Sequence, residues 1–143
     1  MNKILLIITG SIAASRCREI IALLNINEVK ISCILTKEAK KYVKISDIKK
    51  LLKNRIFTDE DEKKNKMLHI NLSRDNDIIV MCPATANSIA KFANGYGDNL
   101  ASNTLLASNK KILFVPAMNS FMWHNKINQK NVRLLKDSGH EFI

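Results

Sequence analysis

The octapeptide Pro116-Ala117-Met118-Asn119-Ser120-Phe121-Met122-Trp123 places a bare carboxamide, two thioethers and an indole directly after the apolar run Ile112-Leu113-Phe114-Val115. Such a run reads as a buried parallel strand, and its carboxyl end is a costly place for those groups unless something docks there. A turn started by Pro116, with Met and Trp covering the core, accounts for the same residues. Other apolar runs end in related chemistry: Thr9-Gly10-Ser11-Ile12, Thr36-Lys37 and Pro83-Ala84-Thr85-Ala86-Asn87-Ser88. Small residues and hydroxyls let backbone N–H groups approach a phosphate, and the dipole of a following helix favours its charge. Helix capping explains any one of these ends alone. Four together point to a flat, phosphorylated ligand. The first turn lacks the G-x-G-x-x-G spacing, and Thr36-Lys37 offers no acidic residue to a ribose, so a mononucleotide fits better than a dinucleotide.

Bringing four strand ends to one edge requires a parallel sheet, and the chain alternates strand and helix throughout. Lys3 to Thr9 is a continuous apolar strand, as burial on both faces demands. Residues 12–25 read as a helix capped by Ser11, with Ile12, Ile20, Ile21, Leu23 and Leu24 facing inward. Strands follow at 29–35, 77–82 and 111–115. Short helices are expected at 38–43 and at 46–52, the second capped by Ser46, and a charged surface loop at 54–66. Helices at 85–93 and 99–108 are separated by the Gly95-Tyr96-Gly97 break. A last helix spans 125–136 and stops near Ser138-Gly139, and 140–143 begins a fifth strand. The pattern predicts an α/β fold: a doubly wound, mostly parallel Rossmann- or flavodoxin-like sheet in three α/β/α layers, with residues 1–143 forming one domain.

Composition narrows the partners. The chain has 143 residues, 46% of them hydrophobic and 25% charged, enough for a core without metal or disulfide support. Cys17, Cys33 and Cys82 are far apart and lack C-x-x-C spacing, so they read as small buried hydrophobes in a reducing cytoplasm. The net charge is +10, but the lysines are scattered and no helix-turn-helix or zinc-finger spacing interrupts them. Nucleic acid is therefore not an expected partner. The apolar start is broken by Thr9-Gly10-Ser11, against a signal peptide, and no stretch is long enough to span a membrane.

Four segments, Gly10-Ser11-Ile12-Ala13-Ala14, His69-Ile70-Asn71-Leu72, Pro83-Ala84-Thr85-Ala86-Asn87-Ser88 and the octapeptide, occur together in an order and spacing that resemble the flavin-containing cysteine decarboxylases. The similarity covers the whole chain and is nearest to the branch that acts on 4′-phosphopantothenoylcysteine in coenzyme A synthesis. The resemblance implies FMN at the strand ends, held by Gly10, Ser11, Ile12, Thr36, Lys37, Thr85, Ala86, Asn87, Ser88 and Ala117. It implies a catalytic role for His69, although a lone His among apolar neighbours is more often structural. Asn119 matches the residue that holds the substrate carboxylate, and Met122 lines the same pocket. A neutral amide can donate to a carboxylate without adding a charge that opposes loss of CO2. His69 and Asn119 are expected to face one shared cleft.

The implied reaction oxidises a cysteine-derived thiol to a thioaldehyde, loses CO2 to give an enethiolate, and in the coenzyme A branch returns the hydride to yield 4′-phosphopantetheine. That branch continues past the last helix into a flap carrying a cysteine, and the 143 residues end before it. The resemblance thus leaves open a shortened form, a flap supplied from elsewhere, or an incomplete reaction. The alternatives are a peptidyl-cysteine decarboxylase, which stops at the enethiol, and a truncated FMN-binding protein without full turnover. Flavin prenyltransferases share the fold and the FMN turn but lack the octapeptide. The family also implies a homotrimer, or a dodecamer of trimers, a small-molecule cysteine-containing substrate, and a phosphopantothenate–cysteine ligase that is either fused or separate.

Overall fold

A computed structural model describes residues 2–143. Six strands form one sheet: β1 (Lys3–Ile8), β2 (Lys30–Leu35), β3 (Ile56–Phe57), β4 (Ile78–Ala84), β5 (Ile112–Pro116) and β6 (Glu141–Phe142). Every pairing is parallel, and the spatial order is β3-β2-β1-β4-β5-β6. The order reverses between β1 and β4, where a crevice opens beyond the strand ends.

Among the described residues, eight α-helices connect the strands: α1 (Cys17–Ile26), α2 (Ile45–Leu51), α3 (Asp59–Lys64), α4 (Leu68–Asp75), α5 (Ala86–Ala93), α6 (Leu100–Ala107), α7 (Ser120–His124) and α8 (Lys126–Asp137). The alternation of β1 side chains divides the core in two. Leu5 and Ile7 join one cluster with Leu72, Ile89, Leu105 and Val132, beneath α4, α5, α6 and α8. Leu6 and Ile8 join Ile21, Ile48 and Leu52 on the face covered by α1 and α2. These are the three layers expected from the sequence. Among the described residues, no helix is long and apolar enough to cross a membrane.

Several local expectations need correction. The segment 54–66 is not one loop. It contains β3 and α3, and α3 starts on a capping box in which the Asp61 carboxylate accepts the Thr58 N–H at 2.8 Å. β6 is therefore the sixth strand rather than the fifth. Ser46 does not cap α2, because the helix begins one residue earlier with Lys44 at the cap position. Ile12 and Leu23 do not face inward: they are 77% and 63% exposed. A 3-10 turn over Ile12–Arg16 precedes α1, and its three residues per turn shift the phase of the apolar face. Ser11 does cap this turn, its Oγ accepting the Ala13 N–H at 3.2 Å.

Candidate active site

The crevice at the β1–β4 switch point is built by hydroxyls that tie strand ends together. Thr36, just past β2, donates its hydroxyl to the Ile8 carbonyl at 3.2 Å and accepts the Ala39 N–H. Thr9 performs the same service between β1 and β4. Gly10 is required by close approach: a Cβ there would stand 2.4 Å from the Glu38 Cβ. Thr85 caps α5, its Oγ1 accepting the Ser88 N–H at 3.1 Å and donating to the Ser88 hydroxyl at 2.9 Å. Thr85 is thus spent on the cap, while the Ser88 hydroxyl keeps its own hydrogen for a ligand.

These residues surround a cavity of about 140 Å³ lined by Gly10, Thr36, Thr85, Asn87 and Ser88, all expected from the sequence. Ser11 and Ile12 adjoin it through Gly10, and Ile12 is exposed. Thr9, at the strand end the sequence also singled out, lines it too, while the sequence reading missed the rest: Glu38, Met81, Lys91, Phe92, Asn99 and Ser102 among others. Met81 and Phe92 give a flat ligand an apolar wall. Lys91 contacts Asp98 at 2.8 Å across the Gly95–Gly97 turn and holds the Asp98 carboxyl below its ordinary range. The readable signals were Lys91 and Phe92, one helical turn after Ser88, and the Asn99–Ser102 capping box.

The other expected residues are not among those lining this cavity, although Lys37 and Ala86 adjoin it through their chain neighbours. Lys37 borders a charged cleft with Lys40, Asp59 and Glu62. Ala86 and Met122 line a groove between α5, α7 and α8 with Ala90 and Asn128. Ala117 is fixed by its N–H to the Ala84 carbonyl at 3.1 Å. Asn119 is the N-cap of α7: its Oδ1 accepts the Met122 N–H at 2.9 Å, which leaves the Nδ2 hydrogens to a ligand. His69, on α4, faces Glu62 of α3. Among the described residues, neither His69 nor Asn119 lines the strand-end cavity, the charged cleft or the α5–α7–α8 groove. In the octapeptide, Met118 and Trp123 pack against the core while Phe121 is 91% exposed. The core-covering reading therefore holds for two of its side chains and not for the rest.

Known proteins match this arrangement over its whole length. The signature of the Flavoprotein family covers residues 1–143. A probable phosphopantothenoylcysteine decarboxylase of Streptococcus mutans is 32% identical over 99% of this chain and 82% of its own length. The coenzyme A biosynthesis bifunctional protein CoaBC of Bacillus subtilis is 30% identical over 99% of this chain, which spans 36% of that larger protein. Among solved structures, the FMN-dependent cysteine decarboxylase SpaF superposes with a TM-score of 0.93 and 29% identity, covering 100% of this chain and 83% of SpaF. With its six parallel strands and the strand-end cavity between β1 and β4, this chain belongs to the Flavoprotein family, within the group that includes the flavin-containing cysteine decarboxylases.

Proposed function

We propose that the protein holds FMN in the strand-end cavity and converts 4′-phosphopantothenoylcysteine to 4′-phosphopantetheine in the cytoplasm. The observation that carries this reading is the convergence of Gly10, Thr36, Thr85, Asn87 and Ser88, from three strand ends, on one cavity at the switch point. The donor set fits the cofactor. The free Ser88 hydroxyl and the first N–H groups of α5 suit a phosphate or ring edge, and Met81 and Phe92 suit a flat ring. Ser11, Ile12, Lys37, Ala86 and Ala117 complete the set by family match. FMN, when bound, supplies a hydride acceptor for the thiol-bearing carbon.

The chain's own side chains supply the rest. Asn119 donates Nδ2 hydrogens to the substrate carboxylate, and its neutrality leaves the departing CO2 unopposed. Met122 forms an apolar wall beside it. His69 holds or takes up a proton at an imidazole nitrogen. Since neither His69 nor Asn119 lines the cavities named above among the described residues, a homotrimer, alone or within a dodecamer, would bring His69 of one protomer to the Asn119 pocket of another. A phosphopantothenate–cysteine ligase, separate or fused, would supply the substrate; the likeness to part of a bifunctional protein of coenzyme A biosynthesis supports a second activity working beside this one.

The purified protein should be yellow, and mass spectrometry should find 4′-phosphopantothenoylcysteine lighter by CO2 alone. A product lighter by CO2 and two hydrogens would mark a reaction that stops at the enethiol. Conversion of a peptide ending in Cys, in place of the phosphorylated substrate, would favour the peptidyl-cysteine reading that the SpaF likeness also supports. A colourless protein that rejects added FMN would overturn the cofactor site, and equal turnover by His69→Asn would remove His69 from the reaction.

A further inference from the structure

We infer that Glu62 is the positioning residue for His69, and that Asn103 and Gly97 hold Glu62 where it must stand. The inference rests on His69 being the proton-carrying group proposed above. It adds which of the two ring nitrogens does that work.

The Nδ1 atom of His69 is buried and has no hydrogen-bond partner among the described residues. A buried polar atom left unpaired calls for a partner within reach. The Glu62 carboxylate stands 3.6 Å away, and the two side chains are only 27% and 22% exposed. That gap is a few tenths of an ångström beyond hydrogen-bond range, and a small torsional change in Glu62 closes it.

Glu62 does not move freely. The carboxamide of Asn103, reaching from α6, donates to both of its oxygens at 3.3 Å. Asn103 itself has room because residue 97 is glycine: a Cβ at Gly97 would stand 2.6 Å from the Asn103 Oδ1. The Gly95-Tyr96-Gly97 break therefore does more than end a helix. Lys37, Lys40 and Lys63 border the same cleft as Glu62, and the Asn103 bonds hold the carboxylate against being drawn to those cations. The neighbouring Asp59 is occupied by the Leu100 N–H at 3.0 Å, and α6 carries no ionisable side chain.

A carboxylate only accepts hydrogen bonds, so a His69 paired with Glu62 must carry its proton on Nδ1. The Nε2 lone pair is then the one presented to a substrate proton. The protein's three histidines make this directly observable. His140 accepts the Ile112 N–H at Nδ1, at 3.1 Å, so its neutral ring must be protonated at Nε2 and serves as an internal reference of opposite tautomer.

Nitrogen-15 NMR of histidine-labelled protein, at a pH where the rings are neutral, tests the assignment, with the His69 signals identified by their loss in His69→Asn. The expected result is a protonated Nδ1 on His69 in the wild type. Glu62→Leu should shift His69 toward the Nε2–H form while His140 stays unchanged, and Gly97→Ala should shift it in the same direction. The inference is overturned if wild-type His69 is already protonated at Nε2, or if Glu62→Leu leaves its tautomer alone. The wild-type spectrum decides even if a variant fails to fold. Because neither substrate nor flavin is needed, a negative result leaves the proposed reaction standing. Where turnover is measured, Glu62→Gln should lower kcat by roughly tenfold or more with KM unchanged, the signature of a lost orienting contact rather than lost binding.

Discussion

The hydroxyl of Thr9 donates to the Pro83 carbonyl at 2.6 Å and accepts the Thr85 N–H at 3.3 Å, so one buried side chain joins the ends of β1 and β4. Thr9 is 3% exposed, and no solvent replaces these bonds. Thr9→Val keeps the shape and strands both partners, which should cost about 1–3 kcal/mol. Urea unfolding should show a lower midpoint with an unchanged slope. Flavin fluorescence titration should show weaker binding, since Thr85 also starts α5. A valine variant as stable as the wild type would mean that packing alone holds the strand ends.

Asn119 combines two tasks that substitution can separate. Its Oδ1 caps α7 and its Nδ2 is left for a ligand. Asn119→Asp retains a good cap, because aspartate accepts the same N–H, but it replaces the donor by a negative charge. This variant should unfold like the wild type, bind flavin and fail to decarboxylate. Asn119→Ala should lose activity and about 1 kcal/mol of stability as well. If the aspartate variant turns over normally, Asn119 is a cap and nothing more.

The sheet was legible because burial on both faces leaves a plain mark: Leu5, Leu6, Ile7 and Ile8 are all buried, alternately toward the two clusters. What escaped was either short or set by contacts distant in sequence. Ile56 and Phe57 form a strand of two residues among charges, too brief for periodicity to register, although Thr58 and Asp61 spelled out a capping box. Ile12 and Leu23 were misplaced because a helical wheel assumes 3.6 residues per turn from the start, and the 3-10 turn does not obey it. The site divides in the same way. Gly10, Thr85 and Ser88 belong to local turns whose chemistry is visible in a few residues. Asn99 and Ser102 reach the cavity only through the packing of α6, and Glu62, though near His69 in the chain, meets it only because of the turn between α3 and α4.

His140 should make stability depend on acidity. Its ring lies 5.4 Å from Phe92 and 6.2 Å from Phe114, centroid to centroid, and burial lowers its pKa from the ordinary 6.5. A proton on Nδ1 would also confront the Ile112 N–H that this nitrogen accepts. The folded-state pKa lies below the unfolded one, so the unfolded chain takes up the proton first. The His140 contribution is complete above 6.5 and declines as pH falls toward the lowered value. Unfolding midpoints between about pH 7 and 5 should fall less steeply for His140→Gln than for the wild type. Parallel curves would show that the ring protonates without resistance.

Cys17 and Cys82, remote in sequence, meet at the start of α1, where the Cys17 thiol donates to the Cys82 carbonyl at 3.3 Å. Turned from that carbonyl toward the Cys82 sulfur, the same S–H stabilises a thiolate there and lowers the Cys82 pKa from its ordinary value, against the opposing effect of burial. The same pairing, then burial, raises that of Cys17, and burial raises that of Cys33. Cys82 is also the one of the three that is only half-buried. Since the thiolate is the nucleophile, iodoacetamide should label Cys82 first, with a rate that rises at lower pH than for an ordinary thiol. Cys17→Ala removes the donor, so the rise should move to higher pH and labelling at neutral pH should slow. Mass spectrometry of the digested protein reads both effects. Equal labelling of Cys82 and Cys33 in the native protein would mean that the neighbouring thiol does not activate this one.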